Sequence, residues 1–251
     1  MIVAQYVGVF DPLPADLPLH LATRIYIAFA LIAYNNGHWD LAWQNDTVVS
    51  QVKTLLSRLH PSQEVFVSVI GDWGENNHYL EASRDAWFPR NVLKFLQNWN
   101  LSGLDVDWEV NLEERALSRL VQNLSSALHP AGLKLTLATF PTPMPDYNFS
   151  QIGKHLDQIN VMSYGGWHDL AEVVQSYLEA GFPPHKIVAG ISTEWPSGEA
   201  DTLGPNGTIV SKVKYAREHG LAGVMEWRLD NDYGRSYKGA HEICNEINPV
   251  H

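Results

Sequence analysis

Cysteine is nearly absent from this chain. Cys244 is the only one, which excludes an intrachain disulfide and any cysteine-built metal cluster. Positive charge is scarce too. Seventeen Lys and Arg stand against 28 Asp and Glu, a formal net charge of −11, so the basic stripe that nucleic acid or an anionic membrane surface requires is missing. No apolar run reaches the length of a membrane-spanning helix; the most apolar stretch, residues 25–34, is too short. The amino terminus shows no basic segment followed by an apolar core, and with the lone cysteine this points to a cytoplasmic rather than a secreted chain. The eleven histidines form no His-x-His or His-Glu-x-x-His pair, so neither a metal nor a cofactor is expected.

What is present suffices for a large core: 45% of the 251 residues are apolar. Nine tryptophans and ten tyrosines add flat amphipathic surfaces of the kind on which sugar rings stack, although most will serve the core. Short β-branched apolar runs alternate with segments of helical period. The runs are residues 2–10, 24–32, 64–71, 101–108, 133–140, 158–163, 186–192 and 221–228. Near-continuous apolar runs suit parallel strands buried on both faces. Between them, Val48, Val52, Leu55 and Leu59 keep helical spacing, as do Leu117, Leu120, Leu124 and Leu128, and Leu170, Val173, Val174 and Tyr177. A weaker last helix is expected over 239–247. Eight such units in one uninterrupted chain predict a single α/β domain over 1–251, a closed (β/α)8 TIM barrel. An open doubly wound sheet is the runner-up, but Phe10-Asp11-Pro12-Leu13 is no phosphate-binding glycine turn.

The fourth run carries the strongest signal. In Ser102-Gly103-Leu104-Asp105-Val106-Asp107-Trp108-Glu109, strand alternation puts Asp105, Asp107 and Glu109 on one face and Val106 and Trp108 on the other. Three carboxylates in a row repel one another, so at least one should hold a proton near neutral pH. Three explanations fit this octapeptide: a solvated edge strand, a site for a hard cation, or a general acid with supporting carboxylates. On a barrel, the carboxyl ends of strands bring Glu109, Met162, Tyr164 and Trp227 to one rim, with Trp73 following the third strand.

This row resembles the Asp-Gly-x-Asp-x-Asp-x-Glu signature of the glycoside hydrolase family 18 chitinases and their relatives, matching every fixed position but the first. Gln5-Tyr6, Ala28-Phe29-Ala30, Ile70-Gly71-Asp72-Trp73, Asn160-Val161-Met162-Ser163-Tyr164 and Gly223-Val224-Met225-Glu226-Trp227 resemble further segments of that family. The chain departs from the pattern at Ser102, at Val69 (a serine there would help to hold the acidic row), at Asp72 and at Gly165, which replaces an aspartate. His168 or Asp169 could substitute for that aspartate.

The resemblance implies a retaining glycoside hydrolase that cleaves β-1,4-linked N-acetylglucosamine oligomers or polymers, using the substrate's own 2-acetamido group as nucleophile. It implies that Glu109 is the acid and then the base, and that Asp107 steadies the acetamido group while sharing a proton with Asp105. Tyr164 would orient the acetamido oxygen. Trp227, Met162, Tyr6, Trp73 and Phe29 would contact the sugar, although plain barrel packing explains Tyr6, Phe29 and Met162 equally well. Only 193–208 separates the seventh strand from the next helix, so the α+β insertion that walls the cleft of larger chitinases is not expected. An open groove, endo cleavage and a monomer follow. The alternatives are an endo-β-N-acetylglucosaminidase cutting the chitobiose core of N-glycans and a catalytically silent chitin-binding lectin.

Overall fold

The computed structural model describes residues 1–71 and 78–247. Its elements in chain order are β1 (Ile2–Gly8), β2 (Arg24–Asn35), β3 (His38–Ala42), α1 (Asp46–Arg58), β4 (Glu64–Ile70), α2 (His78–Ala82), α3 (Phe88–Asn98), β5 (Gly103–Asp107), α4 (Glu114–Leu128), β6 (Lys134–Thr139), α5 (Phe149–Ile152), β7 (Gln158–Val161), α6 (Leu170–Glu179), β8 (Ile187–Ser192), α7 (Thr208–Glu218), β9 (Gly223–Trp227) and α8 (Lys238–Ile247). All strands but β3 run parallel in the order β1-β9-β8-β7-β6-β5-β4-β2, and pairing of β1 with β2 closes the ring. This is the eight-stranded TIM barrel. Among the described residues no insertion domain interrupts it, and β8 connects to α7 directly through 193–207.

Each strand is buried on both faces. The outward set, including Val3, Ile25, Val67, Val106, Leu137, Ile159 and Val224, packs against the helices. The inward set fills the barrel with Ala4, Tyr6, Tyr26, Phe66, Val188 and Met225. Gly103 is a glycine because of this filling: a Cβ there would lie 2.4 Å from the Lys134 carbonyl and 2.5 Å from the Phe66 ring. Two elements depart from strict strand–helix alternation. β1 reaches β2 through a single turn of 3-10 helix, Leu19–Leu21. β2 also outruns the barrel and folds back as a hairpin with β3, turning at Asn36-Gly37, both in the left-handed region.

Candidate functional site

The barrel interior is layered by strand alternation. At the amino-terminal end Arg24 pairs with Glu64, which also pairs with Lys134, while Arg24 donates to Gln158 Oε1 at 2.5 Å. These cations hold the Glu64 carboxyl below its usual range, against the pull of burial.

One layer up lies Asp105, fully buried. Its Oδ2 accepts from Ser68 Oγ at 2.8 Å and from the Tyr6 hydroxyl at 2.9 Å. Its Oδ1 accepts from Thr136 Oγ1 at 2.5 Å and from Asn160 Nδ2 at 3.1 Å. Asn160 also donates to the Tyr6 oxygen at 2.9 Å. Burial still outweighs these four donors and pushes the Asp105 pKa up to about 6.

Asp107 is next, 5% exposed at the end of β5. Burial raises its pKa well above the carboxylate range, and the charges of Glu109 and Asp105 raise it further. It lies within hydrogen-bond reach of Glu109, whose own pKa burial raises and the contact with Asp107 lowers. Asp107 Oδ1 is buried with no hydrogen-bond partner among the described residues. Its backbone N–H donates to the Tyr79 hydroxyl at 3.2 Å, and that hydroxyl donates to the Val69 carbonyl at 2.5 Å. Tyr79 stacks on Trp108 with centroids 5.0 Å apart, so an outward aromatic pair braces the strand end from behind.

Above the carboxyls opens a hollow of about 360 Å³. Asp107, Glu109 and Tyr164 supply its polar wall; Trp227, Phe29, Tyr6, Met162 and Met225 supply most of the apolar rest. The Trp227 ring packs against Phe29 at 5.7 Å and Tyr6 at 5.6 Å between centroids. Among the described residues the Tyr164 hydroxyl has only a soft acceptor, Met225 Sδ at 4.0 Å, and burial with the nearby carboxylates keeps it protonated by raising its pKa far above normal. A second hollow of about 470 Å³ shares Glu109, Met162 and Tyr164 and continues past Phe140, His168 and the exposed Trp167. Glu109 therefore stands at the junction of two hollows.

Eight of the nine residues expected at the site can be placed, and all eight gather here; Trp73 lies outside the described residues. Three expectations need correction. The serine missing at Val69 is present one residue earlier: alternation turns Val69 outward to the helices and Ser68 inward to Asp105. Asp107 is not paired with Asp105, which is occupied by its four donors; Asp107 reaches Glu109 instead. Asp169 does not stand in for the missing aspartate, because it caps α6 by accepting from Ala171 N at 2.7 Å. Sequence reasoning missed Ser68, Thr136, Asn160 and Tyr79. The first three carried a signal, as polar residues inside strands otherwise apolar on both faces.

A closed parallel barrel with an acidic, aromatic-lined hollow at the carboxyl ends of its strands is the architecture of a barrel hydrolase. The chain belongs to the glycosyl hydrolases family 18, whose family model matches residues 3–204. Chitinase 1 of Aphanocladium album is 25% identical over 71% of this chain and 56% of its own length, so the chain spans little more than half of that protein. Among solved structures, a plant class V chitinase mutant from Cycas revoluta in complex with (GlcNAc)3 superposes with a TM-score of 0.76 at 20% identity, covering 98% of this chain and 99% of that one. A chitinase-like agglutinin from Robinia pseudoacacia does so with a TM-score of 0.77 at 16% identity, covering 98% and 99%.

Proposed function

We propose that this barrel is a retaining glycoside hydrolase that cleaves internal β-1,4 bonds between N-acetylglucosamine units by substrate-assisted catalysis. The carrying observation is Asp107 Oδ1, a buried acceptor left without a partner beside Glu109 at the base of the hollow. Buried polar atoms are rarely unsatisfied, and an orphan on a residue that lines a pocket suits a ligand N–H. An acetamido group offers that N–H together with a carbonyl oxygen that the under-used Tyr164 hydroxyl can hold.

The chemistry follows from this placement. A sugar lies in the closed hollow on Trp227, its apolar C–H face against the indole. Glu109, whose pKa burial raises, gives its proton to the glycosidic oxygen at the junction of the hollows. The acetamido oxygen attacks the anomeric carbon from the opposite side as that carbon's bond to the protonated glycosidic oxygen breaks and the leaving sugar departs with a free hydroxyl. The intramolecular position of the nucleophile supplies a high effective molarity. Asp107 accepts the acetamido N–H and stabilises the positive charge that develops on the ring closed between them. Glu109, now ionised, takes a proton from the water that reopens this ring, and the anomeric configuration is retained.

Two features support polymer substrates and internal cleavage. Two hollows meet at Glu109, and 193–207 carries no helix or strand, adding only Gly198 and Glu199 to the lining of the second. The exposed Trp167 lines the second hollow, and the exposed Phe10, Met144 and Tyr233 follow the ends of β1, β6 and β9. An extended sugar chain uses such a face.

Incubation with chitin oligomers and, separately, with a high-mannose glycoprotein tests the proposal. Release of shorter oligomers from internal bonds is expected. Cleavage of the glycoprotein alone would assign the N-glycan core as substrate. Binding of oligomers without cleavage would assign a lectin, the role printed in the name of the Robinia neighbour.

A further inference from the structure

Tyr164 is held by a device that takes no part in the chemistry above. Behind the β7–α6 connection, Lys212 of α7 and Asp201 of the β8–α7 connection form an ion pair, Nζ to Oδ1 at 2.8 Å, with side chains 5% and 0% exposed. All three Nζ protons are used: besides Asp201, the ammonium donates to the carbonyl of Ser163 and, at 3.2 Å, to that of Gly190. Asp201 Oδ2 accepts from the amide of Gly165 at 3.0 Å and from that of Ser192 at 2.8 Å. The carbonyl just before Tyr164 and the amide just after it thus end on one buried ion pair. Gly165 completes the arrangement. It is in the left-handed region (φ 62°), and a Cβ there would lie 2.8 Å from the Glu199 carbonyl oxygen. A side chain at that position would be strained, and the Gly165 N–H is bound from behind by Asp201.

A buried ion pair is a costly way to gain stability, because desolvating two charges offsets their attraction. Here the pair holds the backbone on both sides of one side chain whose hydroxyl faces the hollow and ties it to Gly190 and Ser192 of β8. Resting on the hydrolase reading above, we infer that Asp201 and Lys212 are positioning residues that set the Tyr164 hydroxyl for the acetamido oxygen. They act through Tyr164 and do not touch substrate.

The test is a mutant cycle on cleavage of a soluble N-acetylglucosamine oligomer. The neutral, similarly shaped pair Asp201→Asn with Lys212→Met is compared with Tyr164→Phe and with all three changes together, with melting temperature recorded for each. Expected is a fall in kcat of about 10- to 100-fold for the neutral pair, a smaller change in KM, and no further fall when the pair is added to Tyr164→Phe. An equal fall in both backgrounds, or no fall in a folded variant, overturns the inference. Should the neutral pair not fold, Lys212→Arg keeps the charge but shifts the donors and is read in the same cycle. If the unaltered protein cleaves nothing, the hydrolase reading fails by itself. The pair is then judged from a crystal structure of the folded variant, where an unmoved Tyr164 hydroxyl overturns the inference and a displaced one supports it.

Discussion

Asp107 turns one carboxyl oxygen toward Glu109 and buries the other without a partner. Two carboxyls in hydrogen-bond reach and out of water hold one proton between them, so the pair titrates as a unit. Burial raises both groups, and the second ionisation of the pair comes later than the first. The rate of cleavage should therefore fall on the alkaline side at a pH above the ordinary carboxylate range. Asp107→Asn leaves Glu109 as the one titrating carboxyl of the pair, so the late second ionisation is lost. The alkaline limb of kcat against pH should move to lower pH, with kcat down by about 10²- to 10³-fold. A limb that stays in place would show that the two groups titrate independently.

Glu109→Gln keeps the shape of the acid and removes the proton it transfers. We expect kcat to drop by about 10²- to 10⁴-fold, while calorimetric binding of a chitin oligomer weakens only severalfold. Retained turnover would assign the acid to another group.

The barrel was legible because most of its strands are near-continuous apolar runs, and each observed strand begins inside its expected run. The β2–β3 hairpin was not, although Asn36-Gly37 between apolar runs is a hairpin signal; the continuous hydrophobicity of residues 25–34 masked the turn chemistry beyond it. The helix α3 also went unread, with Phe88, Val92, Phe95 and Leu96 at helical spacing. At the site, the acidic row was legible because alternation alone aligns Asp105, Asp107 and Glu109. Its donors were not: Ser68 and Thr136 stand opposite Asp105 on the neighbouring strands β4 and β6 and Asn160 reaches it from β7, so only the pairing of strands distant in sequence brings them together. The pairing of Lys212 with Asp201 is likewise invisible, since nothing local in either segment demands a charge.

Those donors around Asp105 carry a prediction about stability. In the fold its pKa is about 6, above its ordinary 3.8, so this group lowers stability as pH rises from about 4 to 6. Ser68→Ala removes a donor that favours the ionised form, so the folded pKa climbs further and the window of falling stability extends above pH 6. The cost of the substitution should be small at pH 5 and about 1–3 kcal/mol at pH 8. Urea denaturation at the two values measures this, and an equal cost at both would mean that Asp105 does not titrate there.

Glu226 offers the largest pH effect away from the chemistry. It is fully buried on the outer face of β9, where Thr193 donates to Oε1 at 3.0 Å and Gln5 to Oε2 at 2.9 Å. Burial, helped by the charge of Asp232, pushes its pKa up to about 8, and the two donors only moderate the rise. The unfolded chain ionises this group near its ordinary 4.5, so between about 4.5 and 8 the unfolded state gains what the folded state cannot. Stability should fall by about 1.4 kcal/mol per pH unit from this group over most of that window, on the order of 4 kcal/mol in total. Glu226→Gln keeps the uncharged shape, and its amide nitrogen gains an acceptor in Gln5 Oε1, now buried and unpartnered, once the Gln5 amide turns over. The substituted protein should gain steadily on the original as pH rises from 5 to 8. Unfolding free energies that run parallel over this range would place the Glu226 pKa back near 4.5, and would require a counter-charge or water beside it to replace the burial argument.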